Sequence, residues 1–352
     1  MPVQRLSAED TPAALAGFDA VIDARSPAEF AEDHLPGAVN WPVLSNDERR
    51  IVGTQYKQIS GFDARKIGAA MVARNIADHI DRWVIDLPRD WKPLVYCWRG
   101  GDRSGTLGWF LDKIGFRTHV LDGGYKAFRA VVRADLDNWP RQVDWRVVCG
   151  RTGSGKTRLL SALSKAGAQV LDLEAHAHHR GSVLGLAPGD VQPGQKAFER
   201  AVWCDLRSFD LSRPVFVESE SRKIGQLRVP ELLLDEARAR GQCLRVELSE
   251  AARLQLLLED YDYLAQDPER FYGLLDALRE VRGKEQVANW QAAVRAGHIA
   301  EVFGELMVKH YDPGYLRSLS QTFVGFDKAR ILELADASPE TLGEVAQALA
   351  NE

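Results

Sequence analysis

Short apolar runs alternate with helix-spaced stretches through the first part of the chain. Residues 19–23 (Asp-Ala-Val-Ile-Asp), 93–97 (Pro-Leu-Val-Tyr-Cys) and 118–121 (Thr-His-Val-Leu) read as strands. Residues 27–32 read as a short helix, with Ser26 as N-cap and Pro27 at the first helical position. A helix over 106–114 is stopped by Gly115, and the turn Asp122-Gly123-Gly124 opens another over 125–134. Further apolar runs at 146–149, 168–171, 214–218 and 244–248 predict more strands, with a helix at 158–165 after the first of them. Beyond residue 250 the spacing is mainly helical, clearest over 251–264 and 338–350. Strands alternating with helices predict an α/β chain with parallel or mixed sheets covered on both faces. Residues 135–144, with Asn138, Pro140 and mixed charges, read as a linker, which sets domains at 1–138 and 139–352. No internal repeat or low-complexity tract interrupts this plan.

Composition adds limits. A chain of 352 residues, 45% hydrophobic and 27% charged, is long enough for two ordinary globular cores. A net charge of -5 argues against broad non-specific nucleic-acid binding and leaves room for a local basic face. Cys97, Cys149, Cys204 and Cys243 include no C-x-x-C pair, which argues against a zinc site or a disulfide framework. No apolar run follows the first residues and no stretch reaches the length of a membrane span. The expectation is a cytoplasmic protein without membrane contact, with a monomer as the default.

The strongest chemical signal is the G-x-x-x-x-G-K-T spacing from Gly150 to Thr157, between a predicted strand and a predicted helix. Glycines there let backbone N–H groups converge on phosphate oxygens, a lysine adds a point charge and a threonine hydroxyl can hold Mg²⁺. The expected diphosphate-binding residues are Gly150, Thr152, Gly153, Ser154, Gly155, Lys156 and Thr157. Such a loop reads phosphates and not bases, so any diphosphate is a candidate. Asp172, Glu174, Glu218 and Glu220 follow later strands and can complete the site. No metal-ligand set and no tightly bound cofactor is assigned. The run 174–182 gathers His176, His178, His179 and Arg180. Adjacent His178 and His179 point apart, so the run reads as an anion or RNA contact, or a solvated polar loop, and not as a metal site. Arg180, Arg222 and Lys223 are the candidate RNA or phosphate contacts.

A second site is read at Cys97, which ends a predicted strand ahead of Trp98-Arg99-Gly100-Gly101-Asp102-Arg103. Inward backbone N–H groups, with Arg99 and Arg103, favour a thiolate. The C-x5-R spacing fits a loop of Arg99, Gly100, Gly101 and Arg103 wrapped around a tetrahedral oxyanion above the sulfur. The other three cysteines read as structural.

The first 135 residues resemble the rhodanese family. Residues 23–30 fit its D-x-R-x-x-x-E-[FY] segment, 34–40 its H-[IL]-P-G-A-x-[NH] segment, Cys97 its nucleophile and 121–124 its L-x-G-G. The resemblance implies a parallel sheet flanked by helices and a cysteine that carries sulfur or selenium. It also implies an Asp23–Arg25 pair that fixes the loop and a His34 that holds a turn. The Cys97 loop is a residue longer than in thiosulfate enzymes and is similar to that of rhodanese-like phosphatases, which favours a phosphorus-bearing substrate.

With a P-loop NTPase-like α/β domain and a helical C-terminal part behind it, the chain resembles the bacterial tRNA 2-selenouridine synthase family. Residues 52–58 (Val-Gly-Thr-Gln-Tyr-Lys-Gln), 96–101, 179–182 and 217–225 carry that resemblance beside the two loops. It implies a transferase acting on the wobble uridine of tRNAs for Lys, Glu and Gln. The substrates would be geranyl diphosphate, then selenophosphate, with Cys97 forming a selenopersulfide and Arg180, Arg222 and Lys223 touching tRNA. The alternative readings are a C-x5-R phosphatase or sulfurtransferase coupled to a nucleotide-binding domain, or a non-catalytic binding module.

Overall fold

Five short strands make a parallel sheet in the first of the two units into which the chain divides, Met1–Asp135 and Leu136–Glu352. The computed structural model describes residues 3–181, 189 and 191–352. In the first unit β1 (Gln4–Leu6), β2 (Ala20–Asp23), β3 (Ala38–Asn40), β4 (Pro93–Tyr96) and β5 (His119–Leu121) lie in the order β1-β5-β4-β2-β3. The register pairs Val21 with Leu94 and Asp23 with Tyr96. Burial on both faces accounts for the unbroken apolar runs of β2 and β4. Ile22, Val95, Leu107, Leu111 and Val120 form the core, and Cys97 belongs to it. The helix Pro27–Glu32 falls where expected, with Ser26 and Glu29 in a reciprocal capping box.

Between β3 and β4 the chain inserts two long helices, Asn46–Gln58 and Gly61–Trp83, capped by Ser45 and Ser60. They contain the 52–58 segment. Tyr56, Ile59 and Phe62 stay exposed on this hairpin.

The second unit carries β6 (Trp145–Cys149), β7 (Gln169–Leu171), β8 (Val215–Glu218), β9 (Lys223–Ile224), β10 (Leu227–Arg228), β11 (Gln242–Glu247) and β12 (Arg330–Glu333). Five of these make a parallel sheet in the order β12-β11-β6-β8-β7, and β9 with β10 forms a separate antiparallel hairpin. Helices Lys156–Lys165 and Pro339–Ala350 pack on this sheet through Leu159, Leu160, Leu163, Leu342 and Ala346. A separate helical core, with Leu257, Phe271, Trp290, Phe303 and Met307, occupies the chain from about 250 to 311. The predicted helix over 251–264 breaks at Tyr261 into Glu250–Asp260 and Asp262–Gln266.

The stretch read as a linker is structured. The helix Gly124–Leu136 runs to the unit boundary, a 3-10 turn follows at Trp139–Gln142, and Trp145 donates its indole N–H to the Pro140 carbonyl at 3.0 Å. The division after Asp135 lies three residues before the expected one at 138. Among the described residues no helix is long and apolar enough to cross a membrane.

Candidate active site

Cys97 follows β4 at the end where loop amides collect. The helix Asp102–Ile114 begins behind it with Gly101 as N-cap and no side chain capping its first turn. An uncapped helix start facing the loop is an anion cradle. The helix starts four residues earlier than its apolar spacing suggests, which brings Arg103 and Ser104 into the first turn. Ser104 Oγ donates to Cys97 Sγ at 3.1 Å. Cys97 is only 3% exposed, whereas Arg99 and Gly101 are exposed above it.

The loop is held from behind by the 121–124 turn. A Cβ on Gly124 would lie 2.3 Å from the Cys97 carbonyl and 2.5 Å from the Gly100 nitrogen, so the two backbones touch and only glycine fits. Beneath them the buried Arg25 pairs with Asp23 at 2.6 Å, donates to the Asp33 carbonyl and lies 4.0 Å over the Tyr125 ring. Tyr125 donates to Asp33 at 2.8 Å. His34 bonds the Phe30 carbonyl at 3.0 Å and stacks on that ring, which fixes a turn. Arg103 reaches the loop already paired with Glu29 at 2.8 Å, and Arg49 pairs with the same carboxylate. Burial alone would raise the Glu29 pKa, but the two arginines hold it below the ordinary value. Arg99 has no ion-pair partner among the described residues.

The Gly150–Thr157 loop joins β6 to the helix Lys156–Lys165. Arg253, fully buried, donates twice to the Thr152 carbonyl at 3.0 and 2.8 Å and pairs with Asp312. Gly153 sits at φ +75° against Leu257 and the Arg253 carbonyl, where a Cβ would come within 3.0 Å. Helices after residue 250 therefore brace the loop. Asp312 lies where a π-helical turn, Leu306–Tyr311, meets the helix Asp312–Thr322.

In front of the loop lies a cavity of about 590 Å³. Its floor is acidic. Thr157 Oγ1 donates to Glu174 and Glu218 at 3.3 Å each, and Lys156 Nζ lies 3.5 Å from Glu218 and 2.8 Å from the Gly150 carbonyl. Carboxylate oxygens of Glu174, Glu218 and Glu220 come within 4.8 Å of one another. Burial and the Glu174 charge push the Glu218 pKa up to about 7 against the pull of Lys156, and burial with Glu218 pushes Glu220 well up. Three repelling carboxylates beside a threonine hydroxyl form an oxygen-only donor set suited to Mg²⁺. Leu256, Leu257, Tyr315, Leu319 and Phe323 add an apolar and aromatic part to the lining. Tyr315 bonds Ser219 at 2.8 Å, and its ring lies 5.4 Å from Lys156 Nζ.

Most residues singled out in the sequence converge on these two places. Asp172 instead caps the helix Leu173–Ala177, which leaves Glu174 to face Thr157. His176 turns to Asp205 at 2.6 Å, and His178 takes a left-handed backbone. Arg180 lines the cavity, donates to the Asp260 carbonyl at 2.6 Å and lies over the Tyr261 ring. Ser182, the last residue of the 179–182 segment, lies outside the described residues. Arg222 lines the cavity, whereas Lys223 stands exposed on β9. Cys149 and Cys243 are buried on the adjacent strands β6 and β11. Ser104, Arg253, Asp312, Tyr315 and Arg238 carry no local sequence signal.

Residues 7–131 match the model of the rhodanese-like domain, and 143–274 match that of the tRNA 2-selenouridine synthase AAA domain. A tRNA 2-selenouridine synthase of Nitrosomonas europaea is 36% identical over 245 residues, 68% of this chain and 63% of that protein. One of Chromohalobacter salexigens is 32% identical over 328 residues, 86% of this chain and 88% of its own length. The match thus spans a little under two thirds of the Nitrosomonas protein and most of the Chromohalobacter one. Among solved structures, the N-terminal domain of a putative ATP/GTP binding protein from Clostridium difficile 630 is 31% identical. It covers 37% of this chain and 98% of that one, with a TM-score of 0.33.

Proposed function

The chain belongs to the tRNA 2-selenouridine synthase family, and we propose that it converts wobble 2-thiouridine in tRNAs for Lys, Glu and Gln to 2-selenouridine in two steps. First, the thiouridine sulfur attacks C1 of geranyl diphosphate. A C–S bond forms, the C–O bond breaks and diphosphate leaves. Second, selenium from selenophosphate enters at C2 and the sulfur leaves as geranylthiol. Alkylation comes first because a bare thiocarbonyl sulfur is a poor leaving group.

One observation supports this reading above others: the cavity at the phosphate loop is lined by apolar and aromatic side chains as well as by the loop itself. The loop amides, Lys156 and Thr157 suit the diphosphate and its developing charge. Leu256, Leu257, Leu319 and Phe323 suit a hydrocarbon chain. Thr157, Glu174, Glu218 and Glu220 would hold Mg²⁺, which supplies charge neutralisation for the departing diphosphate. Arg180 and Arg222 stand at the same cavity as candidate tRNA contacts, with Lys223 beside it.

At the other site, selenophosphate sits with its phosphate against Gly100, Gly101, Arg99 and the uncapped helix, beside Arg103. Attack of Cys97 Sγ on selenium forms an S–Se bond, breaks Se–P and sends the electron pair to phosphorus, which leaves as phosphite. The selenium then attacks C2 and expels geranylthiolate, and an added thiol reductant breaks S–Se, becoming a disulfide and freeing Cys97. The low exposure of Cys97 and the pairing of Arg103 with Glu29 favour a second reading. There the loop only holds the phosphate, selenium adds directly to C2, and hydrolysis of Se–P releases phosphate. Phosphorus-31 NMR of the spent reaction separates the two.

The function itself is tested with 2-thiouridine tRNA and nucleoside mass spectrometry. Geranyl diphosphate alone is expected to give S-geranyl-2-thiouridine, and adding selenophosphate is expected to give 2-selenouridine. Unchanged 2-thiouridine under both conditions would remove the proposal.

A further inference from the structure

Arg222 and Arg238 line the phosphate-loop cavity, and neither has an ion-pair partner among the described residues. Arg238 projects from the helix Glu231–Arg240. Among the described residues its guanidinium makes one hydrogen bond, from an NH2 group to the Glu220 backbone carbonyl at 3.3 Å, and lies 5.9 Å from the Phe323 ring. Among the described residues its buried Nε has no hydrogen-bond partner. Burial and the neighbouring Arg222 charge lower its pKa, with Asp235 pulling only weakly the other way. A half-buried guanidinium facing a like charge and keeping an unused donor is costly unless an anion satisfies it.

The positive strip continues outward. Lys223 and Arg228 stand directly opposite each other across the β9–β10 hairpin, both exposed. Like charges so placed destabilise a strand pair. The hairpin is nonetheless pinned. Gln192 bonds the Ile224 carbonyl at 3.0 Å and the Gln226 amide at 2.8 Å, and Gln195 brackets the Arg228 backbone at 2.7 and 2.8 Å. A strip held rigid against its own repulsion fits a polyanion better than a single small anion.

We propose that Arg222 and Arg238, extended by Lys223 and Arg228, form a second anion subsite that holds RNA backbone phosphates and so presents a base to the phosphate-loop cavity. This rests on the tRNA reading given above, and it names the face that receives the substrate.

The test uses the full chain with Arg222→Ala, Arg238→Met and the double variant. The probe is a labelled anticodon stem-loop RNA containing 2-thiouridine, and binding is followed by anisotropy across a salt series. Affinity for geranyl diphosphate is measured in parallel. The expected result is RNA binding weakened about tenfold or more in the double variant, with the slope of log K against log salt reduced by roughly one to two. Geranyl diphosphate affinity stays unchanged. Arg222 is exposed, so its single variant reports even where Arg238→Met unfolds the domain. Unchanged RNA affinity and slope in a protein that still modifies tRNA would overturn this inference alone. Loss of geranyl diphosphate affinity with RNA binding intact would also overturn it, because the arginines would then serve the small anion. Wild-type protein that neither binds nor modifies the RNA would overturn the proposed function as well.

Discussion

The Cys97 loop and the Gly150–Thr157 loop are the same device placed at the ends of two different parallel sheets. Each joins a central strand, β4 or β6, to a helix whose first turn lacks a side-chain cap. Each gathers amides into an anion cradle. They differ in what stands behind and beside the loop. The first is backed by another backbone turn at Gly124 and holds one recessed thiol with a serine on its sulfur. The second is backed by a buried arginine from a helix and opens on a wide cavity with an acidic floor and an apolar wall. In the proposed function, backbone geometry supplies anion affinity in both, and the flanking side chains decide the chemistry: chalcogen handling at one, release of a diphosphate at the other.

The sharpest way to break this contrast is to remove each reactive group. Cys97→Ser is expected to cut selenation by roughly 10⁴-fold or more, the scale of losing a nucleophile. S-geranyl tRNA should accumulate, as read by nucleoside mass spectrometry. Lys156→Ala should slow geranylation by about 10³-fold, comparable to losing a strong charge-stabilising donor. If it slowed only selenation, the diphosphate would belong elsewhere. Arg253→Met probes the difference in backing. It takes the donor from the Thr152 carbonyl and leaves Asp312 only the looser Arg151 contact at 3.7 Å, so denaturant unfolding should show a loss of about 3 kcal/mol. Geranyl diphosphate should also bind more weakly, while loading at Cys97 is untouched.

The smallest effect concerns the acidic floor. Between the ordinary carboxyl pKa of 4.5 and about 7, folded Glu218 keeps a proton that the unfolded chain has released. Stability therefore falls as pH rises through that window. Glu218→Gln should flatten the fall, making the variant more stable than the parent at pH 8 by roughly 1–3 kcal/mol and no different below pH 4.5. Added Mg²⁺ should narrow the gap by stabilising only the parent. A pH–stability curve identical in both proteins would contradict the placement of Glu218.

Both cradles were legible because strand, glycine turn and helix follow one another in the chain. The 23–30 and 121–124 segments were legible for the same reason, and the structure gives Gly124 a specific cause in the close approach to Cys97. What the sequence hid was assembled from afar. Arg253 lies 101 residues from the carbonyl it holds, and Asp312 a further 59 along the chain. The helix Asn46–Gln58 buries none of its side chains, so its residues carry little periodic signal. β12 lies at a sheet edge with only Leu332 buried, so it shows no apolar run. Arg238 looks like any arginine on a polar helix until the fold sets it beside Arg222.

The division of labour is tested most directly with tRNA geranylated beforehand and then offered with selenophosphate to the two loop variants. Lys156→Ala is expected to convert it to 2-selenouridine at close to the wild-type rate, and Cys97→Ser is expected to leave it unconverted. Failure by Lys156→Ala would contradict the division of labour between the two cradles, and conversion by Cys97→Ser would contradict selenium transfer through the Cys97 thiol.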